Sequence, residues 1–211
     1  MNEEIELIYP SEIIAGCISV YRNVWPNPEK TIEKIENFSS NNTEHGFVPA
    51  SIDSLKKIID KTRTNMHMSL NNSSIYSEQM KEIYDQYYKL VWATGIGYNK
   101  HFSLYEPTYI NEGFNILRYQ TGQEYKAHYD GGTAGARSIS PILYLNDDYD
   151  GGELEFVNFD IKIKPESGML VVFPASFPYA HIAHPVTNGT KYAIVTWLHD
   201  RPIDDISKQR L

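Results

Sequence analysis

The feature that most constrains this chain is a change of hydrophobic period near its midpoint. From residue 114 onward the segments FNILRYQ, EYKAHYD, RSISPILYLN, GELEFVN, IKIKP, GMLVVFPA, AHIAHPV and KYAIVTWLH follow one another, each short and rich in β-branched or aromatic residues. Gly, Asn, Asp and Pro punctuate the gaps, so the run reads as about eight strands joined by turns. Strands that short must bury a face against a second layer, which predicts a sandwich or jelly roll.

The first half has a longer period. Asn27 stands at a helix cap position, Pro28 and Glu29 occupy the first turn, and Ile32, Ile35 and Phe38 recur at helical spacing, predicting a helix over residues 28–38 that stops at SSNNTEHG. Leu55, Ile58 and Ile59 form a second periodic run before the polar segment NMHMSLNNSS. From Ser77 to about His101, Met80, Ile83, Tyr84, Tyr87, Leu90 and Val91 keep a helical stripe, which Gly95 and Gly97 are expected to end or fray. The class is therefore α+β, with N-terminal helices packed on one sheet of a jelly-roll core. One domain is expected over 1–211, helical over about 1–105 and strand-built over about 106–200.

Composition narrows the function. With 211 residues and 41% hydrophobic content the chain can bury one sizeable core. A net charge of −8 and no cluster of Lys and Arg argue against nucleic acid as a partner. The opening MNEEIELIYP lacks the basic start and apolar stretch of a secretory signal, and no apolar run reaches the roughly 20 residues of a membrane span, so neither export nor membrane insertion is expected. Cys17 is the sole cysteine, in keeping with a cytoplasmic location, and is expected to pack in the core.

Candidate chemistry begins at EYKAHYDGGTAGAR. In an extended strand, residues two apart share a face, so His128 and Asp130 can meet one ion. About fifty residues on, AHIAHPV supplies His181 and His184 in another predicted strand, and GTKYAIVTW follows with Lys191. Two histidines and one carboxylate make the facial triad that leaves coordination positions open on non-haem Fe(II). Which histidine completes it depends on the turn at TNG. A two-residue loop at Asn188 and Gly189 would put His184 on the face of Lys191, whereas a three-residue loop from Thr187 to Gly189 would put His181 there.

In order and spacing, RYQTGQEYKAHYD, ARSISPILYLN, GGELEF, KPESGMLVVFPA and HIAHPVTNGTKYAIVTW resemble the Fe(II)- and 2-oxoglutarate-dependent dioxygenases, in particular their prolyl 4-hydroxylase branch, over roughly residues 114 to 199. The resemblance implies a double-stranded β-helix of the jelly-roll or cupin kind. It makes His128, Asp130 and His181 the iron ligands and catalytic centre, and Lys191 the cation for the distal carboxylate of 2-oxoglutarate, with Tyr119 and Tyr144 lining the co-substrate pocket. Arg137, Tyr125 and Trp197 fall at substrate-contacting positions. It favours His181 over His184, hence the three-residue loop with Gly189 at positive φ. Fe(II), 2-oxoglutarate and O2 are implied as cofactor and co-substrates, with ascorbate as a further one. The partner implied is a proline-containing peptide or protein, hydroxylated as 2-oxoglutarate is decarboxylated to succinate and CO2. Hydroxylation of a free amino acid or small metabolite, or a jelly-roll binding module without catalysis, are the alternatives. GGTAGA is expected to be a mobile loop over the entrance.

Overall fold

Alternation along the strands decides how the layers stack. In this computed structural model, which describes residues 6–52, 59–70, 77–102, 110–131 and 137–199, the order begins with β1 (Glu12–Ala15), β2 (Ile18–Tyr21), α1 (Pro28–Asn41), β3 (Val48–Pro49), β4 (Met66–Leu70) and α2 (Glu78–His101). Then come β5 (Ile110–Asn111), β6 (Phe114–Gln120), β7 (Tyr125–His128), β8 (Arg137–Tyr144), β9 (Asp150–Gly151), β10 (Leu154–Phe156) and β11 (Ile161–Ile163). The last five are β12 (Leu170–Pro174), β13 (His181–Ala183), β14 (Val186–Asn188), β15 (Thr190–Val195) and β16 (Leu198–His199).

Ten of these strands form one large sheet, in the order β1-β2-β12-β8-β15-β6-β4-β3, with β16 paired to β8 and β5 to β16. Four form a small sheet in the order β11-β10-β13-β7, and β9 and β14 make a two-stranded ribbon. The antiparallel ladders and the two facing sheets are those of a double-stranded β-helix. Leu170 and Val172 of β12 face the helices, with Ile116, Leu143 and Ile194. Val171 and Phe173 face the small sheet, with Phe156, Leu154 and Ile18. A strand buried on both faces reads as an unbroken apolar run, which is why LVVFP does not alternate. Ile35 and Phe38 of α1, and Met80, Ile83, Tyr87 and Val91 of α2, cover the outer face. Tyr98 reaches from α2 to the β1–β2 turn, where its hydroxyl donates to Cys17 O at 2.7 Å.

Several expectations need correction. The part read as helical contains β1, β2, β3 and β4, which extend the large sheet at both edges. Met66–Leu70, read as a polar segment, buries Met68 and Leu70 and pairs with β6. Asn27 makes no side-chain cap; its φ is 48°, and the Thr31 hydroxyl donates to its carbonyl at 3.4 Å while accepting from the Trp25 indole at 2.9 Å. The helix also continues to Asn41. The run Leu55 to Ile58 and the loop 132–136 lie outside the described residues.

Ser77 caps α2 by accepting from Met80 N–H at 3.2 Å, and the helix passes through Gly95 and Gly97 unbroken. Gly97 is there for proximity: a Cβ on it would lie 2.1 Å from Ile8 O. In an open helix Gly→Ala stabilises by roughly 1 kcal/mol. Here the clash reverses the sign, and Gly97→Ala should destabilise by about 1–3 kcal/mol, the usual cost of overpacking. A urea midpoint below that of wild type would bear this out; an equal or higher one would mean that the Ile8 segment moves aside freely.

Candidate metal centre

β7 and β13 are antiparallel neighbours in the small sheet, and their register sets His128 opposite His181. Asp130 follows two residues after the end of β7. Its backbone is fixed on the large-sheet side, because Arg137 Nη1 donates to Asp130 O at 3.0 Å and Gly131 N–H donates to Ala175 O at 2.7 Å. His128 Nε2 lies 3.7 Å from Asp130 Oδ1, and His181 Nε2 lies 3.9 Å from Asp130 Oδ2. One donor atom from each of the three falls within 4.8 Å of the other two.

The hydrogen bonds behind the rings fix the tautomers. Lys126 O is 2.8 Å from His128 Nδ1, and Tyr179 O is 3.1 Å from His181 Nδ1. A carbonyl only accepts, so both Nδ1 atoms carry a proton, and both Nε2 atoms face Asp130. Burial, and then the neighbouring His181, push His128 down to about 3, so the ring stays neutral. Burial would raise the Asp130 carboxyl, but the facing His181 and His128 outweigh it and hold it below the usual carboxylate range. Two imidazoles and one carboxylate on one side of a cavity fit a divalent metal with positions to spare. Phe173 and Phe156 wall His181 in, with ring centroids 4.9 and 5.9 Å away.

The same cavity is lined by Tyr119, Tyr125, Tyr144, Lys191, Trp197 and Arg63. Lys191 is 2% exposed and donates to Gly152 O at 2.6 Å. Its Nζ lies 5.4 Å from the Tyr119 ring centre and 5.0 Å from that of Tyr144. Burial lowers its pKa to about 7, the like charge of Lys164 adds to this, and Glu153 opposes it weakly. Tyr125 stacks on His128 with ring centres 3.5 Å apart, and the Arg63 guanidinium covers Tyr125 at 4.7 Å.

Residues 114–199 match the family described as the 2OG-Fe(II) oxygenase superfamily. Over that stretch the chain is similar to this superfamily, and relatives of the chain are named prolyl 4-hydroxylases. Among its relatives, a probable prolyl 4-hydroxylase 9 from Arabidopsis thaliana is 33% identical over 124 residues, covering 45% of this chain and 43% of that protein. A putative prolyl 4-hydroxylase of Acanthamoeba polyphaga mimivirus is 24% identical over 218 residues, covering 88% of each. The chain thus spans less than half the length of the plant relative. Among solved structures, a Trichoplax adhaerens prolyl hydroxylase in complex with a hypoxia inducible factor peptide fragment superposes with a TM-score of 0.70 at 17% identity, over 92% of this chain and 87% of that one. A viral collagen prolyl hydroxylase from Paramecium Bursaria Chlorella virus-1, in a 2OG complex, gives 0.64 at 18% identity, over 89% and 98%. These two likenesses concern the fold.

Eight of the nine candidate site residues line the cavity; Arg137 does not. Its Nε and Nη2 hold the two Glu112 carboxylate oxygens at 2.8 and 2.7 Å, and its guanidinium lies 3.7 Å from the Trp197 ring centre. His184 turns away and meets Glu155 at 2.6 Å. The expected hairpin is absent: β14 pairs with β9, and β15 pairs with β6 and β8. Gly189 does have φ 86°, and a Cβ on it would sit 3.1 Å from Tyr149. Sequence reasoning missed Arg63 and Glu112, whose segments carry no motif; Glu112 also receives His199 Nε2 at 2.5 Å from 87 residues away.

The geometry predicts one divalent ion per chain. Asp130→Ala removes the only anion of the set and should weaken Mn(II) or Co(II) binding by more than about 100-fold. Metal titration of both proteins checks this, and retention of wild-type affinity would place the ion elsewhere.

Proposed function

We propose that this protein is an Fe(II)- and 2-oxoglutarate-dependent hydroxylase of peptidyl proline, acting on a cytoplasmic protein. The observation that carries the reading is the buried Lys191 ammonium, which faces the cavity of the His-Asp-His set and whose strongest charged influence is another lysine. A buried cation in that setting calls for an anion brought by a ligand. The distal carboxylate of 2-oxoglutarate supplies it. The relatives named prolyl 4-hydroxylase, and the relative of the same fold solved with a peptide, support proline in a peptide as the substrate.

In this reading His128, Asp130 and His181 hold the metal, and Nδ1 bonding to Lys126 and Tyr179 keeps both imidazoles aimed at it. Bound there, Fe(II) with 2-oxoglutarate and O2 supplies the oxidising chemistry, in which the co-substrate becomes succinate and CO2 and the substrate gains a hydroxyl. Lys191 orients the co-substrate as a point charge, and the rings of Tyr119 and Tyr144 keep water from its stem. Tyr125 and Trp197 form apolar walls suited to a pyrrolidine ring, and Arg137 holds Trp197 in place from the far side. Ascorbate enters as a reductant that restores ferrous iron.

Succinate release with and without proline-containing peptides, with mass spectrometry of the peptides, tests the reading. A gain of one oxygen on proline supports it. Turnover only with free amino acids would replace the substrate class, and no turnover with any candidate would favour a binding module.

Lys191 gives a sharper test. In the folded, ligand-free protein its pKa is about 7 against 10.5 for an ordinary lysine, so at pH 8 it is mostly neutral. A carboxylate placed beside it favours the charged form and raises the pKa again. Binding of 2-oxoglutarate at pH 8 should therefore take up about one proton per site, and the uptake should vanish as pH falls below 7. Calorimetry in buffers of different ionisation enthalpy reads it directly. Lys191→Met should abolish the uptake and raise KM for 2-oxoglutarate by about tenfold or more, since leaving one charge of a buried pair alone is costly. An unchanged KM would mean that another group holds the carboxylate.

A further inference from the structure

The ladder between β8 and β15 runs through Val195–Ile142, Ile194–Leu143 and Ala193–Tyr144, and there β8 ends. Lys191 lies two residues beyond it. On the other side β15 stays paired with β6 through Tyr192–Arg118, Lys191–Tyr119 and Thr190–Gln120. The strand that carries the buried ammonium has thus run out of ladder along its β8 side, where its peptide groups need other partners.

A side-chain amide supplies them. Asn146 Nδ2 donates to Thr190 O at 2.7 Å, and Asn146 Oδ1 accepts from Tyr192 N–H at 2.8 Å. These groups belong to the two peptide units that flank Lys191. Leu145 N–H donates to Tyr192 O at 3.0 Å, and Asn146 Nδ2 also reaches Asp148 Oδ1 at 2.6 Å. Asn146 is 9% exposed, so these bonds form away from bulk water. Its amide imitates a neighbouring strand, presenting one donor and one acceptor in a single plane, and among side chains of this length only asparagine does so.

We propose that Asn146 is a positioning residue for 2-oxoglutarate, acting through Lys191. It fixes the backbone on both sides of the lysine, and this sets where the ammonium stands between Tyr119, Tyr144 and Gly152 O. The proposal rests on the reading of Lys191 as the co-substrate cation. In a dry cavity a charge–charge contact changes steeply with distance, so a strand edge free to shift would cost co-substrate affinity before it cost the fold. Asn146 touches neither the metal ligands nor the cavity, and is distinct from the groups that contact the co-substrate.

The test measures 2-oxoglutarate binding to Mn(II)-loaded protein by calorimetry, beside melting temperatures and steady-state kinetics. Asn146→Leu loses both bonds, and Asn146→Asp keeps the acceptor for Tyr192 N–H while losing the donor to Thr190 O. Tyr98→Phe serves as a control, since it removes the buried hydrogen bond to Cys17 O without touching β15. We expect Asn146→Leu to weaken 2-oxoglutarate binding by about tenfold, Asn146→Asp to fall between it and wild type, and Mn(II) affinity to stay the same. KM for 2-oxoglutarate should rise while kcat at saturating co-substrate stays within about twofold. Tyr98→Phe should melt earlier with unchanged 2-oxoglutarate affinity. If Asn146→Leu does not fold, Asn146→Asp decides. Wild-type affinity in a folded Asn146 variant, or an equal loss in Tyr98→Phe, would overturn the proposal and leave the site reading standing. Failure of wild type to bind 2-oxoglutarate would overturn both.

Discussion

Placing the Lys191 ammonium in the cavity removes solvation that its one bond among the described residues, to Gly152 O, does not return, and the fall of its pKa to about 7 registers the deficit. The surroundings are shaped to make that burial possible. Tyr119 and Tyr144 flank the stem and offer their ring faces to the cation. Gly152 has φ 67°, and a Cβ there would come 3.3 Å from Lys191 Cδ and 2.8 Å from the Tyr149 ring, so the turn that supplies the carbonyl has no room for a side chain. Further along β15, Ala193 and Val195 line the same cavity and leave the space in front of the lysine open.

The other face of β15 ties this arrangement to the helices. Tyr192 sends its hydroxyl to Glu36 of α1 at 2.9 Å, and Arg118 of β6 meets the same carboxylate at 3.1 Å, so α1 clamps two adjacent strands where one carries Lys191 and the other leads to Tyr119. In α2 the buried Tyr87 hydroxyl donates to Ile194 O at 3.0 Å. Pro141 shows how the central strand tolerates a residue with no N–H. The β15 ladder stops at Ile142 and the β16 ladder starts at Ile139, so Pro141 falls in the gap between them, and its carbonyl accepts from Thr196 N–H at 3.3 Å.

The strand-built half was legible because its signals are local. FNILRYQ forms β6 from end to end, and the β-branched and aromatic runs bounded by Gly and Asn fall on strands. The strands of the first half were harder to read. Met66, Met68 and Leu70 alternate correctly, yet Met, His and Ser have no strong strand preference and the run abuts NNSS, so packing against β6 decides the outcome. Gly97 looked like a helix breaker because the approach of Ile8 comes from 89 positions upstream. His181 and Lys191 could share a strand face only if one continuous hairpin joined them. In the structure the chain leaves the small sheet after β13 and enters the large one at β15, so the two side chains meet across the cavity from opposite walls. Strand parity says nothing about residues on different sheets.

That crossing explains what the inter-sheet core does for the site. His128 and His181 are carried by the small sheet, whereas the Asp130 backbone is held from the large-sheet side by Arg137 of β8 and by the segment after β12. Arg137 is itself locked to Glu112. Burial would raise that carboxyl, but the bonds from His199 and Arg137 outweigh it and bring it down to about 2, so the pair stays ionised through neutral pH. The three ligand groups converge only while the sheets remain closed. Phe156 of the small sheet and Phe173 of the large one meet edge to face at 4.8 Å directly behind His181, and Val171 and Leu154 extend the same contact. The apolar core between the sheets and the metal geometry are therefore one structural problem: a change that parts the sheets moves the imidazoles with one wall and the carboxylate with the other.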